Sequence, residues 1–125
     1  MSGAMGAELD TYVEDREGFL RSRVYVVRQL IRRLTRQGVS VRVLQRLDIS
    51  SQVEAAFIHV DLTTVPVPFS WVDRLYRRCL NGRALSIARD LYSTARLLPE
   101  DDCPEPVIVK TLLNHRGLSE LAYLN

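Results

Sequence analysis

LRSRVYVVRQLIRRLTRQGVSVRVLQRLDISSQVEAAF, Leu20 to Phe57, combines the strongest helical period of the chain with its most lopsided charge. Leu20, Val24, Val27, Leu30, Ile31 and Leu34 fall at i, i+4, i+7, i+10, i+11 and i+14, a single apolar stripe on a helix of about 3.6 residues per turn. A helix with such a stripe has to pack against something. Gly38 marks its stop, since a glycine just past the last periodic residue can take the left-handed C-cap conformation. Two shorter helices are expected to follow, one from Ser40 to Leu47 capped by Ser40, the other from Ser50 to Val60 turning Val53, Ala56 and Phe57 inward. Between Arg21 and Leu47 stand eight arginines and no acidic residue, so the faces not used for packing present guanidinium groups.

Outward from this stretch the signs of charge are segregated, which the net charge of +2 conceals. Glu8 to Glu17 holds five acids against one arginine and reads as an acidic helical turn or two, interrupted by Gly18. Asp10, Glu14 and Asp15 lie upstream of the positive end of the long helix, where negative charge is favourable. Met1 to Ala7 has no pattern to pack and reads as a disordered start or a cloning remnant. Downstream, Asp61 to Pro68 carries two prolines that cannot sit in a helix interior, and is expected to be a loop. Ser70 can cap a helix from Trp71 to Leu80, with Asn81-Gly82 as its stop. Arg83 to Leu98 repeats Ile87, Ala88, Leu91, Tyr92, Ala95 and Leu98 on one face and predicts a second long helix. Pro99 to Pro106 is an acidic loop. Val107 to Asn114 fits a short helix or a strand; helix is preferred, because a lone strand in a helical chain would leave its backbone groups unpaired. Ser119 caps a final turn through Tyr123.

At 125 residues the chain is one domain by size and needs neither disulfides nor metal to hold a core. Cys79 and Cys103 lack CxxC spacing and read as reduced thiols of an intracellular protein. No apolar run reaches the roughly 18 residues of a membrane span, and the chain start does not resemble a signal peptide. No partnership with a membrane is expected.

Catalytic chemistry has little to stand on. His59 and His115 are the only histidines, neither lies at helical spacing from another metal-ligand type, and HExxH, GxSxG and CxxC are absent. Asp73 and Asp90 read as surface ions of helices. The chain is therefore expected not to be an enzyme and to carry no cofactor or metal. Binding has more: Arg21, Arg28, Arg32 and Arg36, at i, i+7, i+11 and i+15, form a cationic ridge that could hold nucleic-acid phosphates, an acidic peptide, or only water. Sixteen of the seventeen basic residues are arginine, which suits bidentate carboxylate or phosphate contacts, although a coding bias gives the same count. Tyr25 is the only aromatic among the ridge arginines, which argues against stacking of single strands.

LIRRLTRQGVSVRVLQRLDISSQVEAAF followed by ALSIARDLYSTARLL resembles the N-terminal helical domain, or leucine/tryptophan domain, shared by transcription elongation factor TFIIS, elongin A and a Mediator subunit. Leu30 and Leu34, with three residues between them rather than two, look like the family's L-x-x-L pair, Val39, Val41, Leu44 and Ile49 like its second segment, Val53 like its third, and Ala88, Leu91 and Leu98 like its last. The family's tryptophan position falls on Ala95, and Asp61 to Gly82 stands as an insertion. The resemblance implies an all-α fold, a single compact bundle of about five to seven helices over residues 8–125. It also implies a nuclear, non-catalytic, protein-interaction module of transcription elongation or chromatin-linked assembly. The partners it implies are intrinsically disordered segments mixing acidic and bulky apolar residues, taken up at Arg21, Arg23, His59, Val60 and Arg83 by a monomer. The alternatives are an arginine-mediated nucleic-acid binder using Arg28, Arg32 and Arg36, and a structural subunit of a larger complex joined through Trp71 or the Val65–Pro68 loop.

Overall fold

The first half of the stretch expected to form acidic helical turns, Glu8–Tyr12, is one of the two inner strands of a parallel sheet. The structure, a computed structural model, describes residues 6–23, 25–92, 96–109 and 112–113. It runs β1 (Glu8–Tyr12), α1 (Arg16–Arg21), α2 (Val26–Arg36), β2 (Ser40–Leu44), β3 (Ala55–Ile58), a 3₁₀ turn (Val67–Trp71), α3 (Val72–Leu75), β4 (Arg78–Leu80) and α4 (Arg89–Tyr92). The four strands are all parallel and lie in the order β2-β1-β3-β4. The fold is therefore α/β, and the all-α helical bundle implied by the resemblance is overturned.

The sheet forms because β1 is buried on both faces. Register pairs Asp10 with Ala56 and Tyr12 with Ile58 on one face, and Thr11 with Phe57 on the other. Tyr12, Ala56 and Ile58 join Phe69, Val72 and Tyr76 in the core cluster, so the 3₁₀ turn and α3 close that face. Alternation sends Thr11 and Val13 to the opposite face, where α2 packs on β2 with Val27, Ile31 and Leu34 half-buried. Two crossovers leave the centre in opposite directions, β1 to β2 and β3 to β4, and right-handed connections place their helices on opposite faces.

The β2-to-β3 crossover, residues 45–54, contains no helix. It is stitched to the sheet by a polar network centred on Asp10, which is fully buried. Arg42 on β2 grips the Asp10 carboxylate with Nε and one terminal nitrogen, both at 2.7 Å. Ser51 donates to Asp10 Oδ2 at 2.6 Å and accepts from the Val53 N–H. The Asp48 N–H donates to Tyr12 Oη, which is 2.6 Å from Tyr76 Oη, and Tyr76 donates to Asp10 at 2.7 Å. Each of these polar groups that the loop brings to the core edge finds a partner there.

The expected single helix through Leu20 and Leu34 is two helices. Asp15 caps α1 by accepting from the Gly18 N–H at 3.0 Å, and the missing Cβ of Gly18 leaves room for that carboxylate. Ser22 is extended, with φ −63° and ψ 137°, and ends α1. Of the stripe, Leu30 is half-exposed and Val24 lies outside the described residues. Gly38 does close α2, at φ +87°. Nothing lies within 4 Å of a Cβ built there, so Gly38→Ala costs backbone strain alone. We expect a loss of about 1 kcal/mol in chemical denaturation, and a smaller one for Gly38→Asn.

Past β4 the expected Arg83–Leu98 helix is reduced, among the described residues, to α4. Before it, Ser86 forms an antiparallel bridge with Thr64, flanked by Val65 N–H to Leu85 O and Ile87 N–H to Thr63 O. Residues 107–109 are irregular where the sequence favours a short helix, and Ser119 to Tyr123 lie outside the described residues. Among the described residues no helix is long and apolar enough to cross a membrane. Cys79, on β4, and Cys103 are both free thiols.

Candidate anion-binding site at the carboxyl edge of the sheet

In an open parallel sheet, ligands settle beyond the carboxyl ends of the strands where the connections reverse direction. Here that point lies between β1 and β3. The segment after β1 supplies Glu14 and Asp15, the segment after β3 supplies His59 and Asp61, and the α1–α2 corner folds over both.

Aromatic packing holds the corner. Phe19 of α1 stacks on Tyr25 with ring centres 5.8 Å apart, and His59 contacts both rings at 5.4 and 5.1 Å. Tyr25 donates to Asp61 Oδ2 at 2.9 Å; burial, with Asp61 beside it, pushes the phenol up to about 12. The Asp61 N–H donates to Glu14 Oε1 at 3.1 Å, and burial raises the Glu14 carboxyl above its ordinary value. Glu14, Asp15 and Asp61 are thus all engaged in holding local backbone or side chains. His59 Nε2 is buried with no hydrogen-bond partner, and burial pushes the imidazole below its ordinary value against the pull of Asp61.

The depressed His59 gives a signed pH dependence. The unfolded chain takes up a proton near the ordinary imidazole value of 6.5 while the folded one resists, so stability is lost as pH falls through that value. Glu14 acts oppositely: its raised value adds stability below 4.5 that is lost as pH rises. His59→Phe, which keeps an aromatic ring among Phe19, Tyr25 and Phe57, should therefore flatten the melting-temperature profile just below pH 6.5 and leave the Glu14 component in place.

Against these engaged acids stands a set of arginines with no such partners. Ser22, Arg23, Arg28, Gln29 and Arg32 line a pocket of about 350 Å³ at the start of α2. The break at Ser22 builds it: Arg28 donates to the Ser22 carbonyl, bending the linker back over the first turn of α2. Arg28 and Arg32 lie one helical turn apart, and Arg23 reaches the same space from the linker. Among the described residues no carboxylate forms an ion pair with any of the three. Such a cluster offers an anion planar, bidentate donors.

The structure distributes the residues expected from sequence unevenly. Arg23 joins Arg28 and Arg32 in the pocket, while Arg36 ends α2 about 6 Å further along the axis than Arg32. Arg21 is exposed in the last turn of α1. His59 faces inward among the rings, Val60 packs against the core cluster, and Arg83 pairs with Asp73 of α3 at 3.4 Å. Ser22 and Gln29 are not expected from sequence; Gln29 lies beside Arg28 in the first turn of α2. Among the described residues no group of three or more His, Cys, Asp or Glu side chains is placed to hold a metal.

No family model matches the chain, and no curated protein or solved structure matches it.

Proposed function

We propose that the chain is a binding domain for the phosphodiester backbone of a nucleic acid, held at the pocket of Arg23, Arg28 and Arg32. The observation that carries this reading is the contrast at one sheet edge: Glu14, Asp15 and Asp61 are engaged within the fold, whereas the three arginines converge without a carboxylate among the described residues. Arg28, Arg32 and Arg36 recur every fourth residue along one side of α2, so a chain of phosphates laid on the helix meets a chain of guanidinium groups. Base recognition is no part of the proposal.

A second reading has its own observation. Val26 and Leu30 of α2 are 80% and 48% exposed beside these arginines, which suits a disordered segment mixing acids with bulky apolar residues. The transcription-elongation and nuclear setting has no such support, because it came with a helical bundle that the parallel sheet replaces.

Fluorescence anisotropy with labelled single-stranded and duplex oligonucleotides, and with an acidic peptide bearing phenylalanines, separates the two. The nucleic-acid reading expects oligonucleotide affinity that falls linearly in log–log form between about 50 and 200 mM salt. Peptide binding without oligonucleotide binding would transfer the site to the second reading.

A further inference from the structure

The end of the sheet away from this site presents a different pairing of surfaces. β4 is an end strand of three residues, and Leu80 on it is 65% exposed. An end strand leaves backbone donors and acceptors on its outer side, ready to pair with an extended segment. Arginines surround it: Arg77 and Arg78 enter and begin β4, Arg74 stands on α3 over the Trp71 ring at 4.8 Å, and Arg83 follows the Asn81-Gly82 turn. Their ionic partners are loose. Arg77 lies 3.6 Å from Glu54 with both side chains more than 70% exposed, and the Arg83 side chain paired with Asp73 is 92% exposed.

The same chain carries a segment of complementary character. Glu100, Asp101, Asp102 and Glu105 precede Val107, Ile108 and Val109, which are 55%, 82% and 92% exposed. A turn between Leu98 and Asp101 sets its start, with the Leu98 N–H donating to Asp101 Oδ2 at 2.7 Å and the Asp101 N–H to Leu98 O at 3.0 Å. Three consecutive β-branched residues in an irregular, exposed stretch are strongly suited to a strand and pair with no strand among the described residues.

We propose that two copies of the chain associate by each laying its Glu100–Val109 segment along the β4 edge of the other. The acids then meet the arginine rim while Val107 to Val109 extend the sheet beside Leu80. The occupant is a second copy because within one chain the β4 edge and the segment are exposed together. Reciprocal exchange uses the same two surfaces twice and closes after two copies, so it yields a dimer and no fibre. The proposal is independent of the Arg23–Arg28–Arg32 pocket.

Sedimentation velocity of the full chain across a concentration series tests it. The expected result is a concentration-dependent dimer that weakens with salt, with Ile108→Asp/Val109→Asp and Arg77→Glu/Arg78→Glu each monomeric and each retaining the wild-type circular dichroism spectrum. Asp102→Arg/Glu105→Arg should be monomeric too, and mixing it with Arg77→Glu/Arg78→Glu should restore a mixed dimer, which a merely misfolded variant cannot do. A chain that stays monomeric throughout, or a dimer indifferent to all three variants, would overturn the proposal.

Discussion

Replacing Asp10 with alanine is expected to lower the folding free energy by about 3 kcal/mol, a large share of what a domain of this size has. The carboxylate is fully buried and accepts from Arg42, Ser51 and Tyr76, so its removal strands several donors at once. The hydroxyls of Ser51 and Tyr76 would then lack their acceptor inside the core, while Arg42, whose side chain is 44% exposed, could turn to water and Asp48. The destabilisation therefore falls mainly on the crossover loop at residues 45–54, which has no helix of its own. Urea denaturation followed by circular dichroism measures it. Tyr76→Phe, which removes one donor and keeps the ring, should cost only about 1 kcal/mol. An Asp10→Ala protein as stable as wild type would show that the network does not hold the loop.

The same carboxylate makes the fold sensitive to acid. Burial by itself would raise Asp10, but hydrogen bonds from Arg42, Ser51 and Tyr76 and the Arg42 charge outweigh it and hold the group below its ordinary value of 3.8. A depressed carboxyl stabilises the folded state above its unfolded value and withdraws that contribution as pH falls through the folded one. The Asp10 component therefore belongs below pH 3.8, well separated from the His59 component near 6.5.

This network also explains why the sheet is hard to read in the sequence. An aspartate and a threonine in the middle of ELDTY look like part of an acidic helical turn, and only distant partners, Arg42 thirty-two positions later with Ser51 and Tyr76 beyond it, make a buried Asp10 tolerable. Pairing across that separation has no local trace. For β2 a trace exists: Val39, Val41 and Val43 alternate with Ser40 and Arg42 at the period of a strand. So short a segment also fits a helix beside a strongly helical neighbour, and the longer pattern dominates the reading. β3 and β4, at four and three residues, are shorter still. The helical period of Val27, Ile31 and Leu34 does describe α2 correctly, because it repeats over about two turns of an 11-residue helix. The arginine ridge is legible as charge. Its closure into a pocket is not, since it depends on Ser22 leaving the helix and on Tyr25 being drawn to Asp61.

Charge reversal in that pocket is the second large effect. Arg23→Glu/Arg32→Glu should weaken oligonucleotide binding roughly a hundredfold at low salt and reduce the salt slope by about two, one for each phosphate no longer neutralised. Both side chains are exposed, so the melting temperature should hardly move. Arg28 is a poorer choice for this test, because it is half-buried and its bond to the Ser22 carbonyl shapes the linker, which mixes binding with folding. Arg36→Glu supplies the scale: a weakening near that of a single pocket arginine means that phosphates run the length of α2, and no weakening means that the ligand ends at the pocket. The reversal also places acids beside Val26 and Leu30, so an acidic peptide would be repelled as strongly as a phosphate. The salt slope is what distinguishes them, because counterion release scales with the phosphates contacted, whereas a peptide held partly by Val26 and Leu30 keeps an apolar component that salt does not screen. Unchanged oligonucleotide affinity in the reversed variant would remove the pocket from the function altogether.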